Sequence, residues 1–204
     1  MSIILSSLRN TVVAGLILAL LLLLTFSTWG IVDTSSFSDQ AFYSFIFRWL
    51  HVLSAIMWIG LLWYFNFVQI PNMPNIPDDQ KPAISKIIAP AALWWFRWSA
   101  MATVATGLIL GYLNGYLESS MTLGFRGDGA PQHIAIGIGM WLGIIMFFNV
   151  WFVIWPNQKR ALGIVSVDAD VKAASARTAM LFSRTNTLLS IPMLFSMVAA
   201  QNIF

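Results

Sequence analysis

Two histidines, His51 and His133, are the only imidazoles in the 204-residue chain, and both fall where an apolar sequence offers a polar ring little support. His51 stands about two turns inside the apolar run 45–68, and His133 begins the run 134–155. A coordinating side chain within such a run is costly and marks a functional site by default. Two imidazoles projecting from separate helices suit the axial positions of a b-type haem iron, so both are expected as haem-iron ligands. Positions three and four apart share a helical face. This sets Ser54 and Ala55 beside His51 and Gly137 beside His133, all small enough to leave room for a flat macrocycle. Arg48, one turn outward of His51, is placed to pair with a haem propionate. The plainer alternatives are a hydrogen-bonded interior histidine for His51 and a solvated or headgroup-facing one for His133, which follows Pro131 and Gln132. No catalytic residue stands out.

The chain contains no cysteine, which excludes disulfides, thioether-attached haem and cysteine-ligated iron–sulfur clusters within it. No phosphate-binding glycine loop, nucleophile elbow or H-E-x-x-H site occurs. An intramembrane series of acids, as an ion carrier needs, is also missing.

The elements that must hold these residues follow from composition. With 58% hydrophobic and 9% charged residues and a mean hydropathy of +0.76, the chain carries far less charge than the about one quarter of soluble domains. It reads as all-α, a polytopic integral membrane helix bundle forming a single domain over 1–204. Each crossing needs roughly 20 apolar residues, and about five spans are expected at 11–29, 45–68, 93–116, 134–155 and 185–200. An amphipathic cytoplasmic segment is expected at about 168–184. The first run lacks a small-residue cleavage site and reads as an uncleaved anchor.

Lys and Arg favour the cytoplasmic side. With the N-terminus inside, Arg9, Lys81, Lys86, Arg97, Lys159, Arg160, Lys172, Arg177 and Arg184 lie inside and only Arg48 and Arg126 outside, nine of the eleven basic residues. The acids split evenly, with Asp33, Asp39, Glu118 and Asp128 outside. The expected setting is therefore the bacterial cytoplasmic membrane, multi-pass, with the C-terminus periplasmic. A basic excess spread over membrane loops is what insertion topology alone produces, so no nucleic-acid partner is expected. Helices in lipid associate by close backbone approach, and the spaced glycines Gly107, Gly111 and Gly115, with Gly139 and Gly143, are expected to pack helices. The sharper reading of those stripes is a homo-oligomer or a docking face for another membrane subunit. Asn66, Asn114, Asn149, Arg184 and Asn186 read as hydrogen-bonding groups between helices.

Several ordered strings resemble the membrane domain of the bacterial urate hydroxylase family, membrane-bound urate oxidases that typically carry a C-terminal cytochrome c domain. They are Arg48-Trp49-Leu50-His51-Val52 with Met57-Trp58-Ile59-Gly60, then Trp95-Phe96-Arg97-Trp98. Further on come Ile145-Met146 with Asn149-Val150 and Pro156-Asn157-Gln158-Lys159, and finally Arg184-Thr185-Asn186 through Ile191-Pro192-Met193-Leu194-Phe195. Together they extend over most of residues 45–200. The sequence departs from the family where Trp94 stands at the histidine of its L-H-W-F string and where Thr185 replaces the histidine before Asn. It adds a Leu-rich first span and contains no C-x-x-C-H motif. The resemblance implies a shortened membrane core lacking the cytochrome c domain, a redox subunit with one haem b that works with separate partners such as a periplasmic cytochrome c. It leaves open a cofactor-free accessory subunit of a larger respiratory or oxygenase complex, and it makes urate hydroxylation by this chain alone doubtful.

Overall fold

The structure, a computed structural model, describes residues 2–31 and 37–204; Asp33, one of the acids in the charge count, lies outside the described residues. The chain is all-helical, with 84% helix and no strand among the described residues. It forms two compact units, residues 1–45 and 46–204.

Within the first unit, helix α1 (Leu8–Thr28) buries no side chain and is strongly apolar along its length. Its 21 residues rise about 30 Å, enough to cross hydrocarbon. A helix that is apolar all round has no polar face to give to water, so lipid is the environment that suits it.

Helix α2 (Gln40–Trp63) continues through a widened π-helical stretch, Tyr64–Gln69. Further along the chain come α3 (Ala89–Leu113), the short α4 (Leu117–Met121), α5 (Pro131–Phe148) and the 34-residue α6 (Ala169–Asn202). Helix α5 also runs into a π-helical stretch, Asn149–Ile154, and on through Trp155–Ala161. Pro131 opens α5 at a position where its missing N–H is harmless.

Among the described residues, three helices are long and apolar enough to cross a membrane: Leu8–Thr28, Gln40–Asn75 and Pro131–Ala161. The expected spans at 93–116 and 185–200 fall on α3 and α6, which have the length but lower mean hydropathy. In α3 the average is lowered by Arg97 and by Trp94, Trp95 and Trp98. In α6 it is lowered by Ser183, Asn186, Ser190 and Ser196, all buried against neighbouring helices, where apolarity towards lipid is not required. The segment expected at 168–184 is continuous with the last span in α6.

The interior of the second unit is built from Trp58, Leu62, Phe65, Leu93, Phe96, Ala100, Met146, Val150, Ile154 and Met193. Phe65 meets Phe96 edge to face at 5.9 Å. Amides tie the helices through this interior. Asn66 donates to the Leu62 carbonyl and to Ser183 Oγ, at 2.9 and 2.8 Å. Asn149 donates to Asn186 Oδ1 at 2.8 Å, and Asn186 to the Met146 carbonyl at 2.9 Å. Each accepting carbonyl lies just upstream of a π-helical stretch, where the widened turn breaks the regular carbonyl ladder. These asparagines therefore act as the hydrogen-bonding groups between helices that the sequence indicates. Asn114 instead bonds within α3, to Leu110, and Arg184 is exposed.

Candidate functional site: a cavity beside His51

Helix α2 carries His51 against α3. Its Nδ1 lies 2.9 Å from the Thr103 carbonyl and 3.2 Å from Thr106 Oγ1. A carbonyl can only accept, so Nδ1 carries the proton and Nε2 presents its lone pair. Gly107 makes the close approach possible, since a Cβ there would stand 3.0 Å from His51 Cε1. The Thr103 carbonyl also accepts from Thr106 Oγ1 at 3.1 Å, while the Thr103 hydroxyl donates back to Ser99 O at 2.7 Å.

His51 opens onto a cavity of about 610 Å³ whose lining is mainly apolar and includes Ala55, Trp58, Gly60, Trp63, Met140 and Met193. That volume lies inside the range of small-molecule and cofactor sites, roughly 300–1,000 Å³. Arg48, Tyr116, Gln201 and Asn202 supply its polar margin. Arg48 forms no ion pair with a carboxylate among the described residues. Of the expected site residues, His51 and Arg48 are thus brought together on one cavity.

His133 is placed differently. It is not among the residues lining this cavity. Its Nδ1 lies 2.9 Å from Asp128 Oδ1, and its ring stacks on Tyr116 with centroids 5.4 Å apart. The Ala130 amide also donates to Asp128 Oδ1, at 3.2 Å. The His133 imidazole, and after it the Ala130 amide, lower the Asp128 pKa to about 2, because both bond the charged form.

The glycines divide in the same way. Gly139 packs against Met197 and the Met193 carbonyl of α6, as close helix approach requires. Gly143 is buried and lines the cavity. Gly111 faces Leu117 and Tyr116, at the turn that ends its own helix. Gly115 stands outside α3 altogether, with φ +74°. The Gly115 N–H bonds to Tyr112 O and the Tyr116 N–H to Gly111 O, a helix-ending motif that needs the left-handed conformation glycine adopts freely. Gly137 does not leave room for a macrocycle: the Ser120 carbonyl of α4 sits where its Cβ would be. One turn along, Trp141 Nε1 donates to Met121 O at 3.0 Å, so α4 is docked across α5 by backbone contact.

Sequence reasoning missed Thr103, Thr106, Tyr116 and the cavity methionines. The threonines carried one readable signal, a three-residue spacing that puts both on one face of α3, but the partner of that face was not readable.

These features define a helical protein with helices long and apolar enough to span a membrane and a ligand-sized apolar cavity overlooked by one imidazole. Residues 124–202 match the family described as urate oxidase N-terminal, a similarity that supports a relation of this segment to the membrane domain of the urate hydroxylase family. No curated protein and no solved structure matches the chain. The matched segment contains His133 and the whole of α5 and α6, whereas His51 and Arg48 lie upstream of it.

Proposed function

We propose that the chain is a small membrane subunit of a redox system related to the urate hydroxylase membrane core, holding one b-type haem in the His51 cavity near the periplasmic face. Five spans with the N-terminus cytoplasmic belong to the same proposal. The observation that supports it is the His51 ring itself. Nδ1 is fixed by a backbone carbonyl, the arrangement that orients metal-bound histidines and raises their basicity, and Nε2 is left for a ligand. A haem bound there would supply one-electron transfer. His51 would hold the iron, Arg48 would neutralise a propionate, and the apolar walls would exclude water.

A second protein ligand to such a group would come from His133 or from a cavity methionine. His133 requires a rearrangement, since its ring is committed to Tyr116 and Asp128. Met140, Met193 and Met197 already line the cavity, and a thioether is an established partner for histidine in such sites. Among the described residues no group of three or more His, Asp or Glu side chains could hold a metal ion, so a coordinated metal here would need the macrocycle's own nitrogens.

A second reading, a cofactor-free accessory subunit, is favoured by Trp94 and Thr185 at positions where the family has histidine. Both are exposed, which suits contact with lipid or with another subunit. The deciding measurement is a dithionite-reduced minus oxidised visible spectrum of the purified chain with a pyridine haemochrome assay. Sharp b-type bands at about one haem per chain support the redox reading. A flat spectrum from folded protein overturns it in favour of the accessory role.

A further inference from the structure

We infer that the chain carries an oxyanion site, of the kind that takes a phosphate group, at the seam of α3 with the Trp155–Ala161 helix. It lies ten residues, about 15 Å of helix, from the Gly107 contact with His51, and does not depend on the haem proposal. Arg97 is only 8% exposed. Its Cζ lies 3.3 Å from the Trp155 ring centroid and 6.0 Å from that of Trp151. Lys159 Nζ approaches the same Trp155 ring at 5.6 Å. Two cations thus share one indole, and neither pairs with a carboxylate among the described residues, whose ion pairs are Lys81–Asp78 and His133–Asp128.

Indole faces attract cations, but they accept no conventional hydrogen bonds from a guanidinium's several N–H groups. Arg97 Nη1 is buried without an acceptor, and so is the indole Nε1 of Trp151. A buried charged donor left unsatisfied is strongly unfavourable. A negative group rich in acceptor oxygens would satisfy these donors, and the planar fork of arginine matches phosphate. The accumulation of basic residues on one side of a membrane explains surface lysines. It does not explain an arginine sealed between two tryptophans.

Neighbouring residues narrow the source of the anion. Trp94, Trp95 and Trp98, exposed at 49%, 54% and 47%, surround Arg97 on α3, and Trp98 meets Trp151 edge to face at 5.6 Å. Exposed indoles collect at the headgroup level of a bilayer, and basic pockets between spans bind anionic headgroups there. A lipid phosphate or a free phosphate satisfies the same chemistry.

The test is native mass spectrometry of the full chain in non-ionic detergent with added phosphatidylglycerol, phosphatidylcholine or inorganic phosphate. Phosphatidylglycerol is expected to be retained over phosphatidylcholine. Lys159→Gln should weaken it about fivefold, the factor that about 1 kcal/mol per basic residue near a membrane surface gives, and Arg97→Gln should weaken it more. Lys159 is the deciding position, because its partial exposure lets the fold survive substitution; wild-type circular dichroism is required of both variants. Millimolar inorganic phosphate displacing the lipid would support the site and assign it to the free anion, and failure to displace would support it and assign it to the headgroup. Equal retention of the two lipids, or wild-type retention by folded Lys159→Gln, overturns the inference.

Discussion

His51 and His133 carry the same local bond and do different work. Each holds an oxygen 2.9 Å from Nδ1. For His51 that oxygen is a carbonyl on another helix, 52 residues away in sequence, and the ring looks into an apolar cavity. For His133 it is a carboxylate five residues away, and the ring lies against Tyr116. The first bond exists only when α2 and α3 are packed, so it reports tertiary structure. The second closes a loop on itself. Tyr116 touches both regions, lining the cavity and stacking on His133. What separates a cavity-facing imidazole from a loop clasp is therefore what lies on the far side of the ring.

Substitution of the two histidines should separate them most sharply. On the proposed function, His51→Leu is expected to reduce bound haem from about one per chain to near none, while His133→Leu retains most of it if a cavity methionine is the second ligand. Equal loss in both variants would make the pair equivalent and erase the distinction. Next in size is Gly137→Val, which drives a side chain into the Ser120 carbonyl. Overpacking of this kind should cost about 1–3 kcal/mol, read as a lower thermal midpoint in detergent, and an unchanged midpoint would mean α4 is not held on α5. Gly107→Ala is milder, because its methyl meets the edge of the His51 ring at 3.0 Å and the ring can move by a few tenths of an ångström. Stability should fall by less than about 1.5 kcal/mol, with a shifted haem band as the more sensitive sign that the ring has turned.

How far the sequence discloses this arrangement depends on the range of each interaction. Apolar runs long enough to cross lipid are local, and α1, α2 and α5 follow them within a few residues. The continuity of α6 is less legible, since Arg184 and Thr185 read as a boundary when they are exposed positions on one unbroken helix. His51 and Arg48 are legible as a pair because one turn of helix joins them. The Thr103 carbonyl is not, as every residue has one and only packing decides which is offered. Spacing also misleads at Gly115, where a four-residue repeat continues past the end of the helix and the glycine serves the turn instead. Arg97 illustrates the same limit: its charge places it on the inner side in the residue count, yet its burial on Trp155 requires knowing that α5 continues through Asn149–Ile154 and brings that indole alongside.

The smallest expected effect concerns the His133 side alone and comes from pH. The His133 and Ala130 contacts hold Asp128 at a pKa of about 2, below its ordinary value of 3.8. A carboxylate depressed in the folded state stabilises that state fully above its unfolded pKa and loses the contribution as pH falls through the folded one. The contribution of the clasp should therefore be complete at neutral pH, begin to fall near 3.8 and be lost as the pH drops through about 2. Asp128 is exposed, so water and salt screen the bond and the change in overall stability will be slight. Nuclear magnetic resonance of the histidine rings reads it directly. Acidification from pH 5 to 2 should shift the His133 signal in step with Asp128 protonation, and Asp128→Asn should remove that step. The His51 signal should show no transition tied to Asp128. A His51 resonance that follows the same curve would mean that Tyr116 couples the two rings, and the loop clasp would then belong to the cavity it borders.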